Sequence, residues 1–379
     1  MLNRRTLRIK IMQTLFAFEQ CREANHQLAQ DLILQRFAPD LNSMEVQDKT
    51  LLKTNGKMAI SLYLQKPEHA DAEQASEEAV PLAVAQAVAD ARKFYSDQSE
   101  KDCAFLKKNL LVEITGINAL YRAVLALLLE FATLAGEDKK MRHQPFVENA
   151  IISALRSHKE LEELLRKEQP WKNERTRVAD WFRNTVKTDD QYITYNQTDT
   201  PDIEAQRAII KHMVRHLILS GVVNDYLAGL DIRWAEDHHI VKSLVDRTLK
   251  SFQEDAGTMQ LQKLSMDWED DLVFMDILFD KTVNLGADSK DLIAKNTRNW
   301  EVDRLPLTDR VILEMAIAEM IHFPGIPVKV SINEYIELAK AYSTPKSSQF
   351  VNGILDVMAK EMQEQGIVKK SGRGLIDNK

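Results

Sequence analysis

The stretch IPVKVSINEYIELAK, residues 326–340, and the stretch SSQFVNGILD, residues 347–356, decide the fold of this chain. Apolar residues recur in both at the three- and four-residue spacing of an amphipathic helix. Ser331 and Glu334 form a capping box, in which a hydroxyl and a carboxylate satisfy free N–H groups, so a helix is predicted from Ser331. A second helix is predicted from near Ser347. Their core-facing residues are Ile332, Tyr335, Ile336 and Ala339 in the first and Val351, Ile354, Leu355, Met358 and Met362 in the second.

A further helix is predicted upstream, from about Pro306 to Ile321, because proline suits a first helical turn, where its missing N–H is harmless. The residues HFPGIP, 322–327, end it, since two prolines and a glycine cannot continue a helix. The sequence therefore predicts a C-terminal three-helix unit. Gly353 costs its helix about 1 kcal/mol relative to alanine, and we interpret it as a place where another helix packs closely.

The N-terminal residues 4–20 predict an amphipathic helix of their own. Leu7, Ile11, Leu15 and Phe18 fall on one face at the helical period. An apolar stripe needs a partner surface. We therefore expect this helix to pack against the three-helix unit, although most of the chain lies between them.

The composition predicts an all-helical, soluble protein. Of the 379 residues 44% are hydrophobic and 28% charged, with only 12 glycines and 10 prolines, which favours a packed helical core. Proteins dedicated to nucleic-acid binding are usually basic overall, whereas the net charge of this chain is −7. Any nucleic-acid site must therefore be a local patch. Cys21 and Cys103 are the only cysteines, which excludes a disulfide framework. With no signal-peptide pattern, and with the apolar run 123–129 too short to span a bilayer, we expect a cytoplasmic protein that does not enter a membrane.

The middle of the chain reads as helices interrupted by polar breaks at 66–79, 137–146 and 187–203. Two segments share a pattern: DYLA at 225–228 precedes Trp234 as DLIA at 291–294 precedes Trp300. Duplication of a helical unit and chance similarity both explain this pattern. The predicted organisation is a first helix at 1–20, a helical and possibly repeat-containing insertion at 21–265, a C-terminal helical unit at 266–365 and a flexible tail at 366–379.

The two signature stretches resemble the NusB family of transcription antitermination factors, whose pattern is IPxKVxINExIELAK followed by SxxFVNGVLD. The N-terminal residues 4–8 (RRTLR) and 13–16 (QTLF) also resemble the first helix of that family. The resemblance covers 1–20 and about 267–362. It implies an all-α, NusB-like helical bundle, here with a large helical insertion. It also implies single-stranded boxA-like RNA as ligand, with NusE, a small-subunit ribosomal protein, and the RNA polymerase antitermination complex as partners.

The candidate RNA-binding residues combine cations on the first helix with polar groups at the predicted starts of the C-terminal helices. Arginine forks onto phosphate and stacks on bases, which suits single-stranded RNA. A solvated basic face is the alternative for the arginines, and a plain helix cap is the alternative for Ser347. For the arginines the family resemblance favours RNA, while for Ser347 both alternatives stay open. The candidates are Arg4, Arg5, Arg8, Lys329, Lys346, Ser347 and Gln349.

Two further residues are candidates for a partner surface on the resemblance alone. Glu319 aligns with an acidic residue through which family members meet NusE, and Phe16 aligns with an aromatic residue near the same surface.

Two rival functions remain open. An enzyme such as a NusB-domain ribosomal RNA methyltransferase is disfavoured, because no glycine-rich cofactor loop or catalytic motif occurs. The run DHH at 237–239 lacks spaced metal-ligand partners, so we expect no metal and no cofactor. A protein scaffold that does not bind RNA is the second rival, and measured RNA binding distinguishes it from an antitermination factor.

Overall fold

The structure is a computed structural model that describes residues 2–42, 46–65, 80–296 and 305–378. The polar break predicted at 66–79 lies outside the described residues. The α-helices are α1 (Arg4–Arg36), α2 (Lys49–Leu64), α3 (Leu82–Glu137), α4 (Gln144–Val147), α5 (Ala150–Arg156), α6 (Lys159–Glu168), α7 (Arg175–Trp181), α8 (Asp190–Gln197), α9 (Ile203–His212), α10 (Gly221–Leu230), α11 (Trp234–Lys250), α12 (Trp268–Val283), α13 (Ala287–Asn296), α14 (Leu307–His322), α15 (Val328–Tyr342) and α16 (Ser347–Glu364).

The all-α prediction is confirmed. Within the described ranges no strand forms, and β-pairing is limited to one isolated bridge between Gln253 and Thr258. The helices fall into two compact units. Unit 1 comprises Met1–Thr6 and Val112–Leu272, and unit 2 comprises Leu7–Leu111 and Val273–Lys379.

Unit 1 contains α4 to α11 around the second half of α3, whose residues Leu125, Leu127 and Leu128 are fully buried. Two of its helices continue as π-helices, α7 into Phe182–Val186 and α9 into Met213–Ile218. The predicted break at 187–203 contains α8, because Asp189 caps that helix by accepting from the N–H of Tyr192.

The apolar window of α3 is long enough, by length and composition, to cross a membrane. Half of that window is buried within the protein. Core helices of soluble proteins show the same combination, so the window alone does not indicate a membrane span.

The proposed repeat can be compared only in part. The first copy, 225–228, lies in α10, and Trp234 begins α11 with its indole N–H donating to Asn224 at 2.9 Å. The second copy, 291–294, lies in α13, but Trp300 is outside the described residues.

Unit 2 contains the N-terminal helix from Leu7 onward, and this helix runs to Arg36, well beyond the predicted end at residue 20. Its far half shares one apolar cluster with α2 and the start of α3, because small residues on all three helices allow close approach. The buried members are Ala29, Ile33, Phe37, Ala59, Tyr63, Val84, Ala87, Val88 and Ala91. The near half buries the predicted stripe of Leu7, Ile11, Leu15 and Phe18.

The C-terminal three-helix unit is α14, α15 and α16, close to the predicted bounds. The helix predicted from Ser331 begins earlier, at Val328, with Pro327 before it. Ser331 therefore lies inside the helix, and its hydroxyl donates to Glu319 at 2.7 Å rather than capping. The expected capping box is wrong because the prolyl turn at 324–327 already sets the helix start.

The C-terminal segment 366–379, predicted to be a flexible tail, carries a 3-10 helix at Gly372–Asn378. The N–H of Ser371 donates to the carbonyl of Pro324, and the ammonium of Lys370 donates to that of Phe323, both at 3.0 Å. These hydrogen bonds hold the segment against the end of α14. No apolar pattern in this segment of the sequence predicts them.

Candidate functional site

The N-terminal helix and the C-terminal helices of unit 2 meet at a buried ion pair between Arg8 and Glu319. The Nε and Nη2 atoms of Arg8 donate to the two carboxylate oxygens at 2.7 and 2.8 Å. Both side chains are almost completely buried, at 4% and 0% exposure. The fork geometry is the bidentate arrangement that makes arginine–carboxylate pairs strong. It confirms that the first helix packs against the three-helix unit.

Every polar neighbour of this pair supports its charged state. The hydroxyls of Ser331 and Tyr335 donate to the Glu319 carboxylate at 2.7 and 3.0 Å. Glu334 lies 3.7 Å from the guanidinium, whose carbon is 5.3 Å from the ring centre of Phe274.

The protonation of this cluster follows from burial and from the charge of Glu319. Burial opposes the charge of Arg8, but its hydrogen bond and charge contact with Glu319 outweigh this, so the pKa of Arg8 is raised. Burial, together with the charge of Glu319, raises the pKa of Tyr335 well above its usual range. The cluster is therefore a buried ion pair whose carboxylate accepts from two hydroxyls, with the carboxylate of Glu334 near the guanidinium.

This geometry bears on two of the predicted site residues. The side chains of Arg8 and Glu319 are buried and hold each other, so this structure presents neither to solvent, and their roles toward RNA and NusE stay predictions. One signal in the sequence was missed. Glu319 is the one acid within the otherwise apolar run 315–321, and a charge in such a position is expected to be paired.

The other two arginines of the first helix belong to unit 1. Arg4 is partly exposed and forms an ion pair with Asp270 in the first turn of α12. Arg5 is exposed. The structure therefore does not present Arg4, Arg5 and Arg8 as three equivalent exposed cations.

The C-terminal candidates separate into exposed and buried groups. Lys329, Lys346 and Gln349 are exposed, while Ser347 is 3% exposed. The Ser347 hydroxyl donates to Asp309 at 2.7 Å, so it ties the start of α16 to the start of α14 and is not presented to a phosphate. The geometry agrees with the alternative of a structural role at the helix start, and the RNA contact of Ser347 stays a prediction.

The two exposed lysines lie at opposite ends of α15. Lys329 is in its first turn, and Lys346 follows the short loop after its end. A helix of this length spans about 22 Å. They therefore lie too far apart to share one phosphate.

Phe16 is 37% exposed on α1, as expected of a residue on a partner surface. Its role remains a prediction.

The run at 237–239 forms no metal site. Asp237 is buried, and the ring of His238 bonds the backbone carbonyl of Ala235 at 2.9 Å. Burial and the neighbouring charge of His238 lower the pKa of His239. Across the described part of the chain, no group of three or more histidine, cysteine, aspartate or glutamate side chains could hold a metal ion.

These features define a class of all-helical protein, in which an N-terminal helix is joined by a buried arginine–glutamate pair to a C-terminal three-helix unit. The chain belongs to the NusB family. The NusB family model matches residues 233–360. The match begins within the segment assigned above to the insertion, so the family-like region includes α11.

Three proteins named transcription antitermination protein NusB are similar to this chain. That of Dictyoglomus turgidum is 36% identical over 130 residues, 33% of this chain and 85% of the relative. That of Chloroherpeton thalassium is 54% identical over 85 residues, 22% of this chain and 40% of the relative. That of Salinibacter ruber is 43% identical over 103 residues, 27% of this chain and 64% of the relative. The chain therefore spans under two thirds of the length of the last two relatives. No solved structure matches the chain.

Proposed function

We propose that this protein is a cytoplasmic, non-enzymatic transcription antitermination factor that binds single-stranded boxA-like RNA. NusE and the RNA polymerase antitermination complex are its proposed partners. The observation that carries the proposal is the signature region itself. It is the part most similar to named antitermination proteins, and it presents Lys329, Lys346 and Gln349 to solvent along α15 and the start of α16.

The chemistry of these exposed groups suits a single strand. Two lysines about one helix length apart neutralise separate phosphates, and the amide of Gln349 can donate to or accept from a base edge. The buried Arg8–Glu319 pair supports this surface indirectly, because it fixes α1 against α14 and α15. Phe16 is the proposed contact for NusE, since it is an exposed aromatic side chain on the same unit.

The test is fluorescence anisotropy of the full chain with a labelled boxA-like strand, with and without purified NusE, over a series of salt concentrations. Each neutralised phosphate of a single strand contributes about −0.7 to the slope of log affinity against log salt. Lys329→Glu/Lys346→Glu should weaken binding and flatten that slope by about 1.4.

The matched control is Lys57→Glu/Lys101→Glu, which makes the same charge change at two exposed lysines elsewhere in unit 2. Equal losses in both variants would contradict a site on α15. Binding of NusE without any binding of RNA would replace the proposal with the protein scaffold.

A further inference from the structure

A second cluster of cations lies in unit 1, far along the chain from the signature. Residues 166–183 contain six basic and three acidic side chains, in a protein whose net charge is −7. The segment runs from the end of α6, through a 3-10 turn at Lys172–Glu174 and α7, into the π-helix that begins at Phe182.

The three acids of this segment are each engaged by an arginine. Glu168 pairs with Arg122 of α3, Glu174 with Arg177 at 2.8 Å, and Asp180 with Arg183 at 3.3 Å. The segment thus has no acid left to neutralise its other cations. Among the described residues, no carboxylate lies within ion-pair distance of the remaining four, which are Arg166, Lys167, Lys172 and Arg175.

Two of these four cations line a cavity of about 710 Å³. Lys172 and Arg175 share it with the amides of Gln169 and Asn173, with Trp171, and with a face of α3 that includes one carboxylate, Glu130. This volume lies within the range of small-ligand sites, about 300–1,000 Å³, and so can admit a nucleotide.

The backbone that presents these groups is held in place from both sides. Gln169 has a φ of 43°, in the left-handed region, and turns the chain sharply after α6. Trp171 is then anchored, because its indole N–H donates to the carbonyl of Ala123 at 2.8 Å. Its ring packs edge-on against Trp181, with the centroids 5.8 Å apart. The backbone at Lys172 is therefore rigidly supported, which limits the conformational entropy that the backbone loses when Lys172 binds a ligand.

We propose that this cavity and its cations form a second binding site for single-stranded RNA, within the insertion. Lys172 and Arg175 would neutralise backbone phosphates, and the amides of Gln169 and Asn173 would meet the edges of one base. Arg166 and Lys167 add to the local positive potential. A positively charged groove that follows the phosphate backbone is a general means of holding single strands without strict sequence preference. This site rests on the proposed RNA binding of the protein and extends it to the insertion.

The experiment is anisotropy of the full chain with a labelled, unstructured 40-nucleotide RNA. It compares wild type, Lys172→Glu/Arg175→Glu, the neutralising Lys172→Gln/Arg175→Gln, and Lys329→Glu/Lys346→Glu. The matched control is Lys139→Glu/Lys140→Glu, exposed in the same unit and absent from the cavity lining. Circular dichroism checks that each variant keeps its helix content. If the charge-reversing variant Lys172→Glu/Arg175→Glu fails to fold, the neutralising variant Lys172→Gln/Arg175→Gln takes its place.

The expected result is that the insertion variants bind RNA more weakly than wild type and that their slope of log affinity against log salt is flatter by about 1.4. The ratio of wild-type to variant affinity should therefore fall about sevenfold between 50 and 200 mM salt. They should do so also when combined with Lys329→Glu/Lys346→Glu, and 4-thiouridine in the RNA should crosslink to a peptide from residues 166–183. Wild-type affinity in the insertion variants, or an equal loss in the control, overturns the second site alone and leaves the proposed function intact. No RNA binding by the wild type overturns both.

Discussion

Arg8 and Glu319 lie 311 residues apart in the chain and form one bidentate pair in the interior of unit 2. Removing one partner of a buried pair is strongly destabilising, because the other charge is left without compensation. We therefore expect Glu319→Gln to lower the free energy of unfolding by about 3–5 kcal/mol. Urea unfolding followed by circular dichroism measures this loss. Lys340→Ala, which breaks the exposed pair with Glu337, should change stability by less than about 0.5 kcal/mol.

The coupling between the two residues can be separated from their individual roles. Arg8→Met/Glu319→Leu removes both charges, and apolar replacement of a buried pair is often nearly neutral. The double variant should be more stable than Glu319→Gln. If the losses of Arg8→Met and Glu319→Leu instead add in the double variant, the two side chains are not coupled.

Asp138, in unit 1, should make the free energy of unfolding depend on pH in the acidic range. Its carboxylate accepts hydrogen bonds from Lys187, from the N–H of Lys140 and from His143, and these hold its pKa below the usual value of 3.8. A lowered pKa contributes stability above 3.8 that is lost as the pH falls below that value. The difference in urea midpoint between wild type and Asp138→Asn should therefore be largest near neutral pH and shrink below 3.8. Asp180→Asn, at an exposed pair, serves as control. A difference that stays constant from pH 7 to 2.5 would contradict this role.

Tyr121 ties the extended segment after α11 to the long helix α3. Its hydroxyl lies 2.5 Å from that of Thr248 and accepts from the N–H of Gln262 at 3.2 Å. Tyr121→Phe leaves the Gln262 N–H without its acceptor and should cost about 1–3 kcal/mol. Hydrogen exchange at the Gln262 amide should accelerate more than exchange in α16. Unchanged exchange there would show that water replaces the hydroxyl at no cost.

Gly353 should be replaceable with a gain in stability. The sequence led us to expect a helix packed closely against it, but a Cβ atom built there meets nothing within 4 Å. Gly353→Ala in the middle of α16 should therefore stabilise the protein by about 0.5–1 kcal/mol, since alanine restricts the unfolded chain and favours helix. The thermal midpoint measures this gain. A gain in stability with weaker RNA binding would indicate that a ligand approaches the glycine.

The parts of the fold that follow from local pattern were predictable, and the parts that depend on distant partners were not. Helical periodicity predicts the bounds of α14 to α16 within a few residues, and it predicts the buried stripe of α1. An apolar face must be buried, whichever part of the chain packs against it. Periodicity does not predict which polar group a given side chain will contact. Ser331 and Ser347 both stand near predicted helix starts, where serine caps are common, yet each hydroxyl donates to a buried carboxylate of α14.

The sequence predicted the exposure of some candidate site residues but not of others. Lys329, Lys346 and Gln349 are long polar side chains in or near turns, and they are exposed. Arg8 sits at the edge of the stripe by helical geometry, and a small rotation decides whether it meets solvent or the core. The partner that decides this, Glu319, is too distant in sequence to be paired with it by any local rule. The cavity at Lys172 and Arg175 is likewise formed by α3 and the segment after α6, which no motif connects.

The distance along the chain between Arg8 and Glu319 also sets an order of events during synthesis. At about 5–20 residues per second, a ribosome needs roughly 15 to 60 seconds to advance the 311 positions from Arg8 to Glu319. For that interval the newborn first helix has neither the carboxylate for its arginine nor the C-terminal helices for its apolar stripe. It is therefore expected to be held by chaperones or by early contacts with the start of α3, and to reach its final position only as the last helices leave the ribosome.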